Sequence, residues 1–345
     1  MRAALARRAL IGAAIISAAC ATTAVSAQNL IPLEVSLGDV SLNKVAFLVA
    51  GDNGIYEKNG LAVHQFITAN AADRIKRSGI NVPDSFIGKG KDAEEKAHIS
   101  VGGGSPLIYS MTTDARATNR IILATTDSEA RFHIISDKAL NSVDDLKGKR
   151  LGFSSLGSVS HMMALALLKQ KGWSPEKDIS LMGEGMAYSA LKERKVDAFI
   201  GSEIYYTMAA KNDAKDLVDL TAYKIPLAGS GLNAEVNWYK DNRDTAMRFV
   251  KSTIESYALM RKDPKVVRAA LEKWYKITDP KQQDNMYKQV AASPQKPYPS
   301  VDGIKMVMQL FPHRELQRHK AEDFYDASLV AELDKSGFID KAYAN

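Results

Sequence analysis

The chain has 345 residues, 46% apolar, 25% charged and 8% aromatic, with a formal charge of +6. At roughly 100–200 residues per domain this is enough for two. The ordinary globular composition excludes disordered, collagen-like and coiled-coil chains.

Residues 1–27 read as a secretory signal. Arg2, Arg7 and Arg8 precede the apolar, small-residue run Ala9 to Ala19, and Val25-Ser26-Ala27 has the small-residue pattern after which a signal peptidase cuts. The apolar run is shorter than the ~20 residues of a membrane-spanning helix. Cleavage after Ala27 gives an exported, periplasmic protein with 43 basic against 40 acidic residues, a net +3 that gives no reason to invoke nucleic acid. The only cysteine, Cys20, falls inside this segment, so the mature chain can form no disulfide. The rival reading makes Cys20 a lipidated first residue, although Ser17 stands where an aliphatic residue is expected.

In chain order, Leu33 to Leu37 is a strand candidate, Val45 to Tyr56 a buried helix closed by Asn59-Gly60, and Leu61 to Ile67 a second strand. This is a strand-helix-strand crossover. A polar helix over Ala71 to Arg77 leads into Gly79 to Lys96, a charged surface excursion. His98 to Val101 is a strand that breaks into Gly102-Gly103-Gly104-Ser105-Pro106, followed by a helix over Leu107 to Asp114 and a strand over Ile121 to Thr125. The pattern then restarts. Strands are expected at Phe132 to Ser136, Arg150 to Ser154, Ile179 to Met182 and Val196 to Ile200, and helices at His161 to Lys171, Ala187 to Lys195 and Ile204 to Lys211. This alternation predicts an α/β architecture with mostly parallel sheets. From Asn242 onward the candidates are helical: Arg243 to Arg261, Pro264 to Lys276, Pro280 to Ala291, Asp302 to Leu310 and Ala327 to Gly337.

Enzyme motifs are scarce. The six histidines form no metal-ligand spacing, Gly102 to Ser105 completes neither a dinucleotide fingerprint nor a nucleophile elbow, and Gly88-Lys89-Gly90-Lys91 lacks phosphate-loop spacing. What remains is small polar loops beyond strand ends, where open α/β sheets bind ligands: Asp39 to Lys44, Gly102 to Pro106, Ser154 to His161 and Gly201 to Glu203. Ser158 or Ser160 caps the helix that follows. The free N–H groups of that first turn favour an anion, or the serines serve only as caps. Glu203 either receives a donor on a ligand or pairs with a cation such as Lys44 or Arg131. Trp238-Tyr239 suits either an aromatic ligand or interlobe packing.

Colinear segments across residues 30–341 resemble the periplasmic substrate-binding proteins of ABC importers. The nearest branch is nitrate/sulfonate/taurine, the NMT1/THI5-like group, which also includes thiamine-precursor binders. The resemblance is carried by Phe47-Leu48-Val49-Ala50 through Gly54 to Val63, Gly103-Gly104-Ser105-Pro106, Leu146 to Gly152, Gly157-Ser158 with Leu167-Leu168, Pro175 to Ile179, Ala190-Leu191 through Ala198, Phe324-Tyr325-Asp326 and Leu333 with Gly337-Phe338-Ile339.

The resemblance implies a two-lobed type II periplasmic-binding-protein fold, with two mixed or parallel sheets flanked by helices and a ligand cleft between the lobes. Lobe one would comprise residues 28–130 and 232–345, and lobe two residues 131–231, joined near Asp127 to Arg131 and Ala228 to Glu235. The C-terminal helices would pack back onto lobe one. Carried over by position, the ligand-binding residues would be Ser41, Asn43, Gly104, Ser105, Ser155, Ser158, Ser160, Ser202 and Glu203. The implied function is a non-catalytic, monomeric receptor without metal or cofactor. It would take a small organic anion such as a sulfonate or carboxylate, or a pyrimidine-like molecule, and hand it to an ABC permease and its ATPase. The alternatives are a pyrimidine-precursor synthase of the same fold and the ligand-binding partner of a sensor kinase.

Overall fold

The computed structural model describes residues 29–89, 96–113, 119–129, 131–311 and 313–344. The expected signal segment, Cys20 and part of the Gly79–Lys96 excursion lie outside the described residues.

Strands β1 (Ile31–Gly38), β2 (Leu61–Ile67), β3 (Ile99–Gly103) and β4 (Arg120–Thr125) come first. They are followed by β5 (Phe132–Ser136), β6 (Arg150–Gly152), β7 (Ser180–Met182), β8 (Ala198–Ser202), β9 (Lys215–Asp219) and β10 (Ser230–Glu235). They form two five-stranded sheets, ordered β2-β1-β3-β10-β4 and β7-β6-β8-β5-β9. β1 runs parallel to β2 and β3, and β6 parallel to β7 and β8. β10 lies antiparallel between β3 and β4, and β5 antiparallel between β8 and β9. Both sheets are therefore mixed, and helices leave their central strands buried. Val35 and Leu37 of β1, and Phe199 and Ile200 of β8, are fully enclosed.

The single helix expected over Val45 to Tyr56 is two, α1 (Val45–Asp52) and α2 (Ile55–Lys58). The break is at Gly54, whose φ of 68° is left-handed and ends the right-handed run. α3 (Ala69–Arg77) is capped by Thr68, whose hydroxyl accepts from the Ala71 amide at 3.1 Å. α4 (Gly104–Thr113) follows β3 directly, and α5 (Val159–Lys171) follows the serine loop after β6. The helices after β7 and β8, α6 (Tyr188–Lys192) and α7 (Glu203–Tyr206), are shorter than expected. After α8 (Val236–Asp241) and α9 (Arg243–Lys262) come α10 (Pro264–Tyr275) and α11 (Pro280–Ala291), each opened by a proline behind a capping aspartate, Asp263 and Asp279. The chain ends in α12 (Val301–Leu310), α13 (Ser328–Lys335) and α14 (Phe338–Ala344).

Two readings need correction. Residues 230–235, expected within a crossover, are the strand β10, whose partners β3 and β4 impose an extended backbone on a Gly-containing, weakly apolar segment. The described part of the Gly79 excursion is not a surface loop throughout, because Ile80 is buried and the fully enclosed ring of Phe86 lies 4.9 Å from that of Trp274. Among the C-terminal helices, α9 and α10 pack on α1, and α12 packs on α4 and α5, where Ile304 and Val307 join an apolar cluster with Ile108 of α4 and Met163 and Leu167 of α5.

The chain crosses from the first sheet to the second between β4 and β5 and returns between β9 and β10. The two crossings are tied together: Leu227 N donates to Ser128 O at 2.9 Å, and Glu129 pairs with Pro226.

Candidate functional site

A cavity of ≈ 380 Å³ lies where loops from both sheets meet. From the first sheet come the turn after β1 and the start of α3. From the second come the serine loop before α5 and the end of β8.

The turn after β1 is held from behind. Tyr275 OH donates to Ser41 O at 2.9 Å, and the Thr68 hydroxyl donates to Gly38 O at 3.2 Å. The Ser41 hydroxyl lies 3.0 Å from Asp39 Oδ1 and 2.7 Å from Asn43 Oδ1, so it is shared between two acceptors. Lys44 is buried, and its ammonium donates to Val101 O at 2.7 Å with Asp39 Oδ1 at 3.6 Å. Burial pushes its pKa down, against the opposing pull of Asp39 and Asp127.

The opposite wall is a hydroxyl network. Ser160 Oγ accepts from the Ser154 amide at 2.9 Å and donates to Ser154 Oγ at 3.1 Å, and it lies 3.1 Å from Ser158 Oγ. Ser158 Oγ accepts from the His161 amide at 3.2 Å, which makes Ser158 the cap of α5. His161 stacks on Phe153 at 4.4 Å, and burial lowers its pKa, so its neutral Nδ1 accepts from Gly157 N at 3.1 Å. The first-turn N–H groups of a helix lack intrahelical acceptors and carry the positive end of its dipole. An anion in the cavity can therefore meet both hydroxyls and a helix N-terminus.

Of the residues singled out from the sequence, the structure brings Ser41, Asn43, Ser155, Ser158, Ser160 and Ser202 to this wall. Gly104 is not on it, although Gly102 and Pro106 are, and the Ser105 side chain lies outside the described residues. Gly104 instead donates its N–H to Gly229 O at 3.0 Å. Glu203 also lies off the cavity, in a small enclosed space with Leu42, Asn43, Asp127 and Arg131. Burial pushes it up to about 7, with Asp127 adding to the rise and Arg131 and His133 opposing it. Trp238 stacks on His98 at 5.4 Å, and Tyr239 donates to Asp326 at 2.8 Å, both away from the cavity. Among the described residues no group of three or more His, Cys, Asp or Glu is placed to hold a metal ion.

Sequence reasoning missed Arg74 and Tyr205, both on the cavity wall. A signal was present. Ala71, Arg74, Ile75 and Ser78 share one helix face at 3–4-residue spacing, and Arg74 is the only charge on that otherwise small and apolar face.

Two mixed sheets flanked by helices, joined by paired crossings with a cavity between them, define the two-lobed periplasmic-binding-protein fold. Within it, residues 108–266 match the family model described as NMT1/THI5 like, in agreement with the resemblance read from the sequence. No curated protein matches the chain. The periplasmic nitrate-binding protein NrtA from Synechocystis PCC 6803 shares the fold with a TM-score of 0.67 and 13% identity, over 89% of each chain. A putative periplasmic sulfonate-binding protein, SsuA from Methylobacillus flagellatus KT, does so with a TM-score of 0.61 and 13% identity, over 90% of this chain and 96% of its own. The desulfurization enzyme DSZB has a TM-score of 0.51 and 13% identity, over 89% of this chain and 99% of its own. The fold thus serves proteins described as binders and one described as an enzyme.

Proposed function

We propose that this chain is an exported, non-catalytic solute receptor. In this reading it captures a small organic anion by closing its lobes and delivers it to the permease and ATPase of an ABC importer. The observation that carries the reading is the interlobe cavity, whose second wall carries four serines, Ser154, Ser155, Ser158 and Ser160, at the N-terminus of α5. A ligand touching both lobes has higher affinity for the closed state and shifts the equilibrium toward it. Lobe one would be residues 28–130 with 232–345 and lobe two residues 131–231. A signal segment cleaved after Ala27 would place the protein in the periplasm.

The enzyme reading draws on the likeness to DSZB. It must do without thiol chemistry, since no cysteine follows Cys20. A panel of sulfonates, carboxylates, nitrate and pyrimidines in a thermal-shift assay tests the receptor reading. A ligand at 100 times its dissociation constant should add about 2.7 kcal/mol of stability and be recovered unchanged. An unmoved midpoint across the panel would refute the ligand class, and turnover of a bound compound would restore the enzyme reading.

A further inference from the structure

Two polar groups of the cavity have unmet hydrogen bonds. Arg74 Nε and Ser202 Oγ are both shielded from solvent and without a partner, and Ser202 as a whole is 6% exposed. They belong to opposite lobes, Arg74 to α3 and Ser202 to the end of β8, and both line the same cavity. A buried donor without an acceptor is costly, so the arrangement is completed by a group that accepts from both sides.

Formal charge points to Arg74 in particular. The ammonium of Lys44, the other cation on the wall, is committed to Asp39 and Val101 O, whereas among the described residues Arg74 has no ion-pair partner. Arg74 also borders an adjoining depression with Asn70, Asp73, Lys76, Arg77 and, from the other lobe, Glu184. Its guanidinium therefore stands between that opening and the cavity. A helix N-terminus supplies roughly half a charge, and Arg74 supplies a whole one. Around it the wall is apolar, with Ala71, Ile75, Met186 and the ring of Tyr205. At ~30 Å³ per water, ≈ 380 Å³ is far more room than a nitrate ion fills.

We propose that Arg74 is the residue that selects the ligand's charge. Its Nε–H, joined by the Ser202 hydroxyl from the facing lobe, donates to the oxygens of a sulfonate or carboxylate whose alkyl body lies on the apolar wall. This rests on the receptor reading above and adds to it the recognising cation and an apolar ligand body.

The test is calorimetric titration of the full chain, and of its Arg74→Gln, Arg74→Lys and Ser202→Ala variants. The probes are butane- and hexanesulfonate, the matching carboxylates, nitrate and neutral hexanol. The wild type should bind an alkyl anion and neither nitrate nor hexanol. Arg74→Gln should weaken that binding roughly ten- to a hundredfold while keeping the ligand-free melting temperature, and Arg74→Lys should restore part of it. Ser202→Ala should weaken it less. Wild-type affinity retained in a folded Arg74→Gln would overturn the assignment of Arg74 and leave the receptor reading standing. Tighter binding of nitrate than of any alkyl anion would overturn the apolar body. A wild type that binds no anion of the panel would overturn both the organic-anion reading and this one.

Discussion

Glu203 is a buried carboxyl beside the cleft, and its chemistry is read best through pH. An ordinary glutamate titrates near 4.5, and burial with Asp127 beside it pushes this one up to about 7. Between those values the folded protein holds a proton that the unfolded chain has released. Stability from this group is complete below about 4.5 and is lost as pH rises through about 7, with a slope of at most about 1.4 kcal/mol per pH unit. His133 acts in the same direction: burial lowers its pKa, but the Asp216 hydrogen bond and the charges of Asp216, Asp219 and Glu203 together raise it. Glu203→Gln should flatten this slope, measured by denaturant unfolding between about pH 5 and about pH 8. An unchanged slope would assign the pH dependence to Asp127 and His133. Ser158 gives a prediction of a different kind. Ser158→Ala loses the α5 cap and one contact of the hydroxyl network, so it should cost about 1 kcal/mol of ligand-free stability and should also weaken binding. Unaltered affinity there and in Asn43→Ala would place the ligand elsewhere.

At the scale of elements, the serine loop and α4 are matched pieces. Gly157 has a φ of 75°, and a Cβ on it would lie 2.1 Å from Cδ1 of Tyr109 in α4. A loop of the second sheet therefore rests directly on a helix that follows a strand of the first. Gly157→Ala should strain the loop and hold the two apart, reducing ligand affinity more than it reduces the stability of either sheet. Equal affinity by titration would mean that closure does not need this contact. Elements with a strong local signal were legible in the sequence. β2 has the expected bounds, and α10 and α11 start at the expected prolines. β10 was not legible, because Ser230 to Glu235 has a glycine, an asparagine and little β-branching, and its strand is made by its neighbours. Arg74 was hidden for a related reason: α3 reads as a polar surface helix, and only the packing shows which face is turned inward.

For the whole molecule, colinear family motifs made the two-lobed plan legible, along with most of the polar loops around the cavity. Distant packing decided the rest. Glu203 follows its strand as the serines follow theirs, but the side chain falls behind the wall, among Asp127 and Arg131 from the first crossing. α12 lies against both α4 and α5, so its Ile304 and Val307 share a cluster with residues from both sides of the first crossing.

The position of β10 also governs how the molecule is assembled. When the first 125 residues have been made, β3 and β4 are complete, but the strand that separates them is more than a hundred residues away in the chain. Until it arrives, each presents an open row of amides and carbonyls, the kind of edge that invites pairing with other chains. The first sheet therefore closes only after the second has been synthesised, and such long-range pairing slows folding. A chain truncated before residue 230 would keep both edges open and be prone to aggregate.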